Sequence, residues 1–410
     1  MITAHMTKFL WIPLLSLSVI QILGCGGSES AVLATAPLPS SSPSPSPNPS
    51  PAPAPTPAPT PSPTPSTPPA EFLLEGNSTS SLNVTQIDLN SGILGGLTPA
   101  APSTNAADNV IYPGVAVTPA KKLLYALSSS LASTQGFAIS GPGLILTPLA
   151  HTPFASGSSG SMNSLVLHPS GRFLYIIHSP ATIEGQTVNL ETGDLTFVAN
   201  FTAPATANLN TAVIDPTGTF LYAPDLTGAQ IFGYRINQAD GSLSAVPGSP
   251  FPLPAGNLPS IEAIDSTGRF LYVSLTARGV AAFSIDSTTG TLGDVPGSPF
   301  ATSGAPVFLA ADPVANFIYL CNSDGSIDCF AIEASAGTLT PVQGSPFATA
   351  ATAGNVAVDP LGKFVYVSNE LRSAIFAFAI DSASGSLMAI PGSPFAAVPQ
   401  VENLYIVKLP

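Results

Sequence analysis

Basic side chains are scarce in this 410-residue chain, which has 10 Lys and Arg residues against 23 Asp and Glu residues. The formal net charge is −13 at pH 7, and no segment concentrates positive charge. Nucleic-acid-binding proteins neutralise phosphates with a basic patch, so we expect no nucleic-acid partner. Because only 8% of the residues are charged, Ser, Thr, Asn and Gln must supply most of the polar surface.

Cysteine is also rare, and only Cys321 and Cys329 follow the N-terminal region. The two flank Gly325 symmetrically, so they could face each other across a hairpin. An oxidising compartment would permit a disulfide there, and two buried free thiols are the alternative. No histidine lies nearby in the sequence, which disfavours a two-cysteine metal site. We expect neither a metal nor another cofactor.

The apolar run at the N-terminus, residues 9–23, is short for a membrane-spanning helix and suits the core of a signal peptide. Cys25 follows it in the sequence Ile22-Leu23-Gly24-Cys25, which resembles the bacterial lipobox, whose cysteine is lipidated. Residues 1–24 would then be a lipoprotein signal peptide, and acyl chains on Cys25 would anchor the protein. We expect export and lipid anchoring to the bacterial envelope, in the periplasm or at the cell surface. Ordinary secretion with a chance cysteine is the alternative.

A proline-rich stretch separates this segment from the rest of the chain. From Pro39 to Pro69, proline alternates with Ser, Ala and Thr. Such a composition cannot bury apolar surface, and it favours an extended polyproline II conformation. At about 3.1 Å per residue, the stretch could hold a folded domain up to roughly 100 Å from a membrane. We therefore assign residues 25–70 as a lipid-anchored linker and residues 71–410 as the folded domain.

A strand of the type Phe-Leu-Tyr recurs along the folded domain at near-constant spacing. From Tyr125 onward, the steps between its tyrosines are 50, 47, 50, 47 and 47 residues. The sequence between the copies carries strand and turn patterns without a helical period. A period of about 40 to 50 residues of this kind is typical of one four-stranded propeller blade. The copies start at Leu123, Phe173, Phe220, Phe270, Phe317 and Phe364, and a weaker Phe72-Leu73-Leu74 precedes them.

The two ends of the domain together complete one blade. Residues 405–410 align with residues 355–360, the first strand of a repeat, and residues 72–74 align with the second strand. Pairing the last strand with the first would remove open sheet edges, which invite aggregation. The sequence thus predicts an all-β, seven-bladed β-propeller of four-stranded blades, closed by pairing of the N- and C-terminal strands.

Most aspartates of the repeats belong to turns. The Asp-Pro-x-Gly sequences at 215–218 and 359–362 match type I turns, in which Asp caps the turn, Pro presets φ and Gly suits the exit. His168 takes the place of Asp in one such turn, so we assign it to the scaffold. The cations that directly follow these turns are assigned to the scaffold too: Arg172, Arg269 and Lys363.

The repeat Asp-Pro-Thr-Gly-x-Phe-Leu-Tyr, followed by x-Pro-Asp-Leu, resembles the seven-bladed lactonase family, which includes 6-phosphogluconolactonase-like and muconate-lactonising propellers. The resemblance covers residues 71–410. Surface-layer and YVTN-type propellers share the blade repeat, so the likeness predicts the fold better than the chemistry. The motif Val-Pro-Gly-Ser-Pro-Phe, at 246–251 and 295–300, is similar to a secreted, lipoprotein branch of this group.

In that family, activity is linked to a grouping of His, Arg and Glu on one face of the channel. The family's His-x-His falls here on Asn208-Leu209-Asn210, and its Asp-Arg pair falls on Ala229-Gln230. The place of its Asn-Glu-Leu is taken by residues 274–276, and Asn369-Glu370-Leu371 appears two blades later. Lactone hydrolysis needs a base that activates water and a donor that holds the oxyanion. The matching positions supply neither, so the resemblance favours loss of the family's activity.

The loops between second and third strands share one face of a propeller with the loops between blades, and binding sites usually lie there. His178, Glu370 and either Arg278 or Arg372 could combine a base with an oxyanion holder on that face, and these four are the catalytic candidates. The predicted ligand-binding face also holds His151, Asn208, Asn210, Asp225 and Asp324, with Asn257 beside them. The alternative for each of them is a solvated loop residue.

These observations favour a binding or interaction module that uses its loop face to contact a protein or polysaccharide of the cell envelope. The alternative is a metal-independent, 6-phosphogluconolactonase-like lactone hydrolase with a rearranged site, acting on a small lactone. A third reading is a structural component of the cell surface without a small ligand. A phosphorylated lactone is disfavoured, because few cations could hold the phosphate. We expect a monomer that meets the membrane through its lipid anchor alone.

Overall fold

The computed structural model describes residues 70–77, 82–96, 98–99, 114–128, 132–141, 143–254, 256–277, 279–349, 354–369, 373–398 and 401–409. These residues belong to one compact unit, Thr64–Pro410. They form strands and turns, and none of them belongs to a helix that is long and apolar enough to cross a membrane. The predicted signal peptide, the lipidated Cys25 and all but the last residue of the predicted linker lie outside the described residues.

Seven antiparallel sheets, here called blades 1 to 7 in chain order, make up the fold. Blade 1 joins the two ends of the chain: β1 (Ala70–Asn77), β2 (Leu82–Ile87), β3 (Thr98–Pro99) and β32 (Val401–Leu409). Blade 2 contains β4 (Val115–Val117), β5 (Leu123–Ser128), β6 (Ser133–Ser140), β7 (Ile145–Pro148) and β8 (Phe154–Ala155). Blade 3 contains β9 (Ser161–Leu167), β10 (Phe173–Ser179), β11 (Thr182–Val188) and β12 (Leu195–Thr202).

The other four blades repeat the same order. Blade 4 contains β13 (Val213–Ile214), β14 (Phe220–Asp225), β15 (Gln230–Ile236), β16 (Leu243–Ala245) and β17 (Phe251–Pro252). Blade 5 contains β18 (Pro259–Ile264), β19 (Phe270–Leu275), β20 (Gly279–Ile285) and β21 (Leu292–Asp294). Blade 6 contains β22 (Pro306–Ala311), β23 (Phe317–Asn322), β24 (Ser326–Ile332), β25 (Leu339–Pro341) and β26 (Phe347–Ala348). Blade 7 contains β27 (Val356–Val358), β28 (Phe364–Asn369), β29 (Ala374–Ile380), β30 (Leu387–Ala389) and β31 (Phe395–Ala396).

The ring closes within blade 1, where the last strand of the chain lies beside the first. β32 pairs with β1, with Phe72 opposite Val407 and Leu74 opposite Tyr405. The strand order β3-β2-β1-β32 puts β32 at the inner position, which the first strand takes in every other blade. The predicted all-β, seven-bladed fold and its closure by the two chain ends are confirmed.

The apolar core lies between successive blades. Second strands such as β14 are buried along their whole length, because a blade is covered on both faces by its neighbours. Seven clusters of buried side chains result, one for each pair of adjacent blades, and the cluster between blades 7 and 1 completes the ring.

In five of the seven blades, the tyrosine of the repeat ties its blade to the next. Tyr222 is fully buried, and its hydroxyl donates to the carbonyl of Gly290 in blade 5 at 2.7 Å. Gly290 has a φ of +78°, and an added Cβ would lie 2.4 Å from the ring of Phe220, so only glycine fits this place. Four other pairs repeat the bond: Tyr125–Gly193, Tyr175–Gly241, Tyr272–Gly337 and Tyr366–Gly92. In blade 6, the hydroxyl of Tyr319 has no hydrogen-bond partner among the described residues.

The outer edge of the blades differs in detail from the single fourth strand that the sequence predicts. In blades 2, 4, 6 and 7 it consists of two short pieces that pair with the same third strand, as β16 and β17 pair with β15. Between these two pieces, the hydroxyl of Ser249 accepts a bond from the amide of Gly233 at 3.0 Å. Ser298, Ser345 and Ser393 accept the same bond in their blades. The Gly-Ser-Pro-Phe motif thus ties the outer edge to the blade.

Candidate functional site

The inner strands enclose a central cavity of about 410 Å³. Five blades contribute to its wall, and none of the described lining residues carries a charge. Its polar side chains are Ser161, Asn163, Ser164, Asn210, Thr211, Ser260 and Asn403. Its apolar side chains are Met162, Ile261, Val307 and Phe308. The cavity therefore offers amide and hydroxyl groups beside an apolar wall.

Irregularities of the inner strands explain why neighbouring residues line the cavity together. In a regular strand, successive side chains point to opposite faces. The register of β18 shifts between Pro259 and Glu262, and that of β22 shifts between Pro306 and Phe308. A bulge re-aims the side chains next to it, so Ser260 and Ile261 both reach the cavity.

A buried carboxyl group lies directly behind this wall. Glu262 of β18 is 8% exposed, and its Oε2 accepts a bond of 2.7 Å from the hydroxyl of Thr211, which lines the cavity. Burial raises the pKa of Glu262 to about 8, against the opposing effect of the bonds from Thr211 and from its own backbone. Carboxyl groups with strongly raised pKa values next to a cavity are typical of functional sites.

Glu262 belongs to no motif that marks it as functional, but a comparison of the seven repeats singles it out. The residue that follows Glu262 pairs with Tyr272, and the same register can be read in every blade. At this position, the other blades carry Val115, Leu165, Ala212, Leu309, Val356 and Leu404. A glutamate that replaces an aliphatic residue in one of seven repeats stands out once the inner strands are aligned on the tyrosine.

The catalytic candidate His178 lies inside blade 3, where it pairs with the cavity-lining Met162 but is not itself among the described lining residues. It is fully buried, and its Nε2 lies 2.9 Å from Oε2 of Glu184, which is also fully buried. Glu184 also accepts bonds from the hydroxyl of Ser156, the amide of Gly157 and the side chain of Gln186. Burial acts to raise the pKa of Glu184, but these bonds and that of His178 lower it to about 2. Since Ser156 and Gly157 lie between blades 2 and 3, the cluster holds this linker in place.

A similar clamp occurs between blades 5 and 6. There Asp328 accepts bonds of 2.8 Å from the amide of Ser303, in the incoming linker, and from the side chain of Asn322. Asn322 and Asp328 take the strand positions that His178 and Glu184 take in blade 3. The repetition indicates that the His178 cluster positions the backbone of the linker, as the Asp328 cluster does in blade 6.

Asp225 and Asn208, both predicted for the ligand-binding face, bind each other. Asp225 is 1% exposed and accepts bonds from the amide of Asn208 at 2.9 Å and from Thr227 and Gln230. Burial acts to raise the pKa of Asp225, but these bonds outweigh it and lower the pKa. The side chain of Asn208 accepts a bond from Ser179. This pair joins blade 4 to its linker, and Asn210, two residues further on, is the one that lines the cavity.

The other candidates among the described residues lie in three separate parts of the propeller. His151 lies at the outer edge of blade 2, between β7 and β8, where its Nδ1 is 2.8 Å from Asp194 of blade 3. Asp324 is exposed in the β23–β24 turn and accepts bonds from Ser326. Asn257 donates to the carbonyl of Pro254 within its own loop. Arg278, Glu370 and Arg372 lie outside the described residues.

Cys321 and Cys329 are buried free thiols, the alternative that the sequence left open, and not the expected disulfide. The hairpin turns about Asp324 and not about Gly325, so Cys329 faces Tyr319 and Cys321 faces Ile327. Diagonal neighbours of this kind are about 7–8 Å apart, further than a disulfide spans. Burial raises the pKa of Cys321 to about 12. Among the described residues, no group of three or more His, Cys, Asp or Glu side chains is placed to hold a metal ion.

Comparison with known proteins identifies structures of the same architecture. No family model and no curated protein matches the chain. A 6-phosphogluconolactonase candidate from Bacteroides fragilis superposes with a TM-score of 0.68 at 19% identity, over 85% of this chain and 100% of that one. A periplasmic gluconolactonase from Pseudomonas aeruginosa superposes with a TM-score of 0.65 at 22% identity, over 83% of this chain and 100% of that one.

A protein from Lactobacillus plantarum gives a TM-score of 0.66 at 17% identity, over 82% of this chain and 99% of that one. The identities are low throughout, so what these proteins share with the chain is the arrangement of strands. The chain has the seven-bladed β-propeller fold of 6-phosphogluconolactonase-like proteins.

Proposed function

We propose that this propeller is a binding module whose central cavity takes a small, uncharged, hydroxyl-bearing ligand such as a sugar or a sugar lactone. The observation that carries the proposal is the cavity wall, which pairs amide and hydroxyl groups with the aromatic ring of Phe308 and with aliphatic side chains. Ligand sites of this size combine an apolar wall with a few polar groups that fix orientation. Sugars suit such a wall, because their hydroxyls bond to amides while their C–H faces pack on apolar side chains.

The charge of the cavity supports an unphosphorylated ligand. A phosphate group is held by Arg, Lys or a cluster of backbone amides. None of the described residues that line the cavity is a cation. A phosphosugar would therefore have to lose most of its hydration without compensation.

Calorimetric titration of the full-length protein with glucose, D-galactono-1,4-lactone and glucose 6-phosphate tests the proposal. We expect the two neutral ligands to bind and the phosphorylated sugar to bind at least tenfold more weakly. Phe308→Ala and Asn210→Ala should each weaken binding about tenfold or more, since each removes a wall contact worth roughly 1.4 kcal/mol or more. Phe197→Ala removes an exposed aromatic ring of the outer strand β12 and is the matched control. Binding that survives both wall variants would contradict the proposal.

A second candidate function is hydrolysis of a lactone in the same cavity. It is favoured by the lactonase-type structural neighbours and by the carboxyl of Glu262, one hydrogen bond behind the wall. In its ionised form, that carboxylate would take a proton from water by way of Thr211 as the water attacks the lactone carbonyl. The ring C–O bond would then break, and the proton held by Glu262 would return through Thr211 to the leaving alkoxide, which gives a hydroxy acid. Acid release that rises with pH through about 8 and is abolished by Glu262→Gln would support this function.

We also propose that the protein is exported and held at the bacterial envelope by a lipid on Cys25. The lipobox-like sequence and the proline-rich stretch support this placement, and one structural neighbour is a periplasmic protein. The ligand would then be a saccharide of the envelope or a small lactone that diffuses there. Metabolic labelling with a fatty acid tests the anchor: the label should be lost in Cys25→Ser and retained in Cys321→Ser.

A further inference from the structure

The fold does not require a carboxyl group at the position of Glu262, because other blades fill the equivalent position with an aliphatic side chain. Val115, Leu165, Leu309, Val356 and Leu404 fill the same position in five other blades and are buried there. A carboxyl group in such a place costs stability, because it loses its hydration and gains a single described side-chain partner, Thr211. That partner is a cavity-lining residue, which points to a role in the cavity.

We propose that Glu262 is a positioning residue that decides, through Thr211, whether the cavity wall presents a hydrogen-bond donor or an acceptor to the ligand. The proposal rests on the proposed function of the cavity as a binding site. The protonation state of Glu262 would then help to decide which ligands the cavity binds.

The hydrogen-bond inventory of the two side chains gives the mechanism. An ionised carboxylate only accepts, so the single proton of the Thr211 hydroxyl must point at Glu262 and its lone pairs face the cavity. A protonated carboxyl can donate to Thr211 Oγ1, which releases the hydroxyl proton of Thr211 for the ligand. The ionised pair therefore selects a ligand hydroxyl at this point, whereas the protonated pair selects a carbonyl oxygen such as that of a lactone.

The titratable groups on the neighbouring strands do not shift the protonation equilibrium of Glu262. β18 packs against β13, β14, β19 and β22, whose titratable side chains are Tyr222, Asp225 and Tyr272. Asp215, Asp265 and Asp312 follow the ends of β13, β18 and β22. None of these groups contributes to the pKa of Glu262, which burial raises and the bonds from Thr211 and its own backbone lower. The proton is thus exchanged near neutral pH, where a switch of this kind is useful.

The test uses the full-length protein with two neutral probes, glucose and D-galactono-1,4-lactone, at pH 6 and pH 9. Calorimetry in two buffers of different ionisation heat gives both the affinities and the protons exchanged. We expect the preference for the lactone over glucose to fall at least tenfold from pH 6 to pH 9 in the wild type. Glu262→Gln and Thr211→Val should each abolish this change, while Thr211→Ser, which keeps the hydroxyl, should retain it. A preference that changes equally in Glu262→Gln would overturn the proposal.

A second measurement is independent of any ligand. The carboxyl carbon of Glu262, assigned by its absence in Glu262→Gln, should titrate near pH 8 in a carbon NMR experiment, and Thr211→Val should shift its midpoint upward. A midpoint near the ordinary value of 4.5 would refute the switch, and so would a midpoint that is the same in the wild type and in Thr211→Val. If the titration is as expected but neither probe binds, the Glu262–Thr211 switch stands and the proposed ligand class is wrong.

Discussion

Single carboxyl groups give this propeller two opposite dependences on pH. Glu262 is buried without an ion pair among the described residues, so the folded state favours its protonated form. Glu184 is also buried but receives several hydrogen bonds, so the folded state favours its ionised form. Glu262 therefore lowers the stability of the folded state at high pH. Glu184 stabilises the folded state at neutral pH, and this contribution is lost at low pH.

For Glu262, we expect stability to fall as the pH rises. Its folded-state pKa is raised from 4.5 to about 8, so its contribution is complete below pH 4.5 and is lost as the pH rises through 8. The loss is at most about 1.4 kcal/mol per pH unit within that window. Glu262→Leu should therefore raise the free energy of unfolding at pH 8 more than at pH 5, as measured by urea denaturation. Equal effects at both pH values would contradict this account.

For Glu184, the sign is reversed. Its folded-state pKa is lowered from 4.5 to about 2, so its contribution is complete above pH 4.5 and is lost as the pH falls toward 2. Glu184→Gln should lower the free energy of unfolding at pH 7 by about 2 to 3 kcal/mol and have less effect at pH 3. Glu191→Gln changes an exposed carboxyl in the same blade and is the control. A Glu184→Gln variant as stable as this control would refute the clamp.

Between elements, the bond from tyrosine to glycine is the repeated contact that sets the spacing of blades. The tyrosine comes from a second strand, and the glycine from the turn before the outer strand of the next blade. Blade 6 departs from the pattern: the hydroxyl of Tyr319 has no described partner, and Cys329 faces this tyrosine, whereas the other five tyrosines face glycine or alanine. The residues at that place elsewhere are Gly136, Gly185, Gly233, Ala282 and Ala377.

This exception supplies a matched pair of variants. Tyr222→Phe should lower the free energy of unfolding by about 1 to 2 kcal/mol, because it leaves the carbonyl of Gly290 buried without its donor. Tyr319→Phe removes a hydroxyl that has no described partner, so it should change stability by less than about 0.5 kcal/mol. Thermal unfolding of the two variants would measure the difference. Equal losses would show that the ring contacts, and not the hydroxyl bond, join the blades.

At the scale of the whole molecule, the sequence predicts the ring but not its centre. The tyrosine period and the alignment of residues 405–410 predict the seven blades and their closure, since these strands are buried on both faces and keep strong patterns. The inner strands are short and bulged at Pro259 and Pro306, so the residues that face the cavity do not follow a period of two. For this reason the sequence assigns Asn210 only to the loop face and does not single out Thr211, Phe308 or Glu262.

Closure by the last strand makes the C-terminus essential for the whole ring. Deletion of residues 401–410 removes β32 and leaves one edge of β1 unpaired. It also removes Val407 and Leu409 from the core between blades 1 and 2, and Leu404 from that between blades 7 and 1. We expect loss of the cooperative unfolding transition and soluble aggregates in size-exclusion chromatography. Deletion of residues 1–63, which the sequence assigns to the signal peptide and the proline-rich linker, should leave the melting temperature unchanged, because such a composition cannot bury apolar surface.

The bond from tyrosine to glycine also gives the ring a direction. Blades 3, 4 and 5 each offer a donor to the blade that follows, while their glycines accept from the blade before, so the two sides of such a blade are complementary and not alike. Cyclic oligomers with head-to-tail interfaces are built by the same rule. A fragment of two or three blades would therefore not form a two-fold dimer. It would add copies head to tail, and since seven is not a multiple of two or three, such copies could not rebuild the seven-bladed ring. They would end as a ring with another number of blades or as a growing fibre.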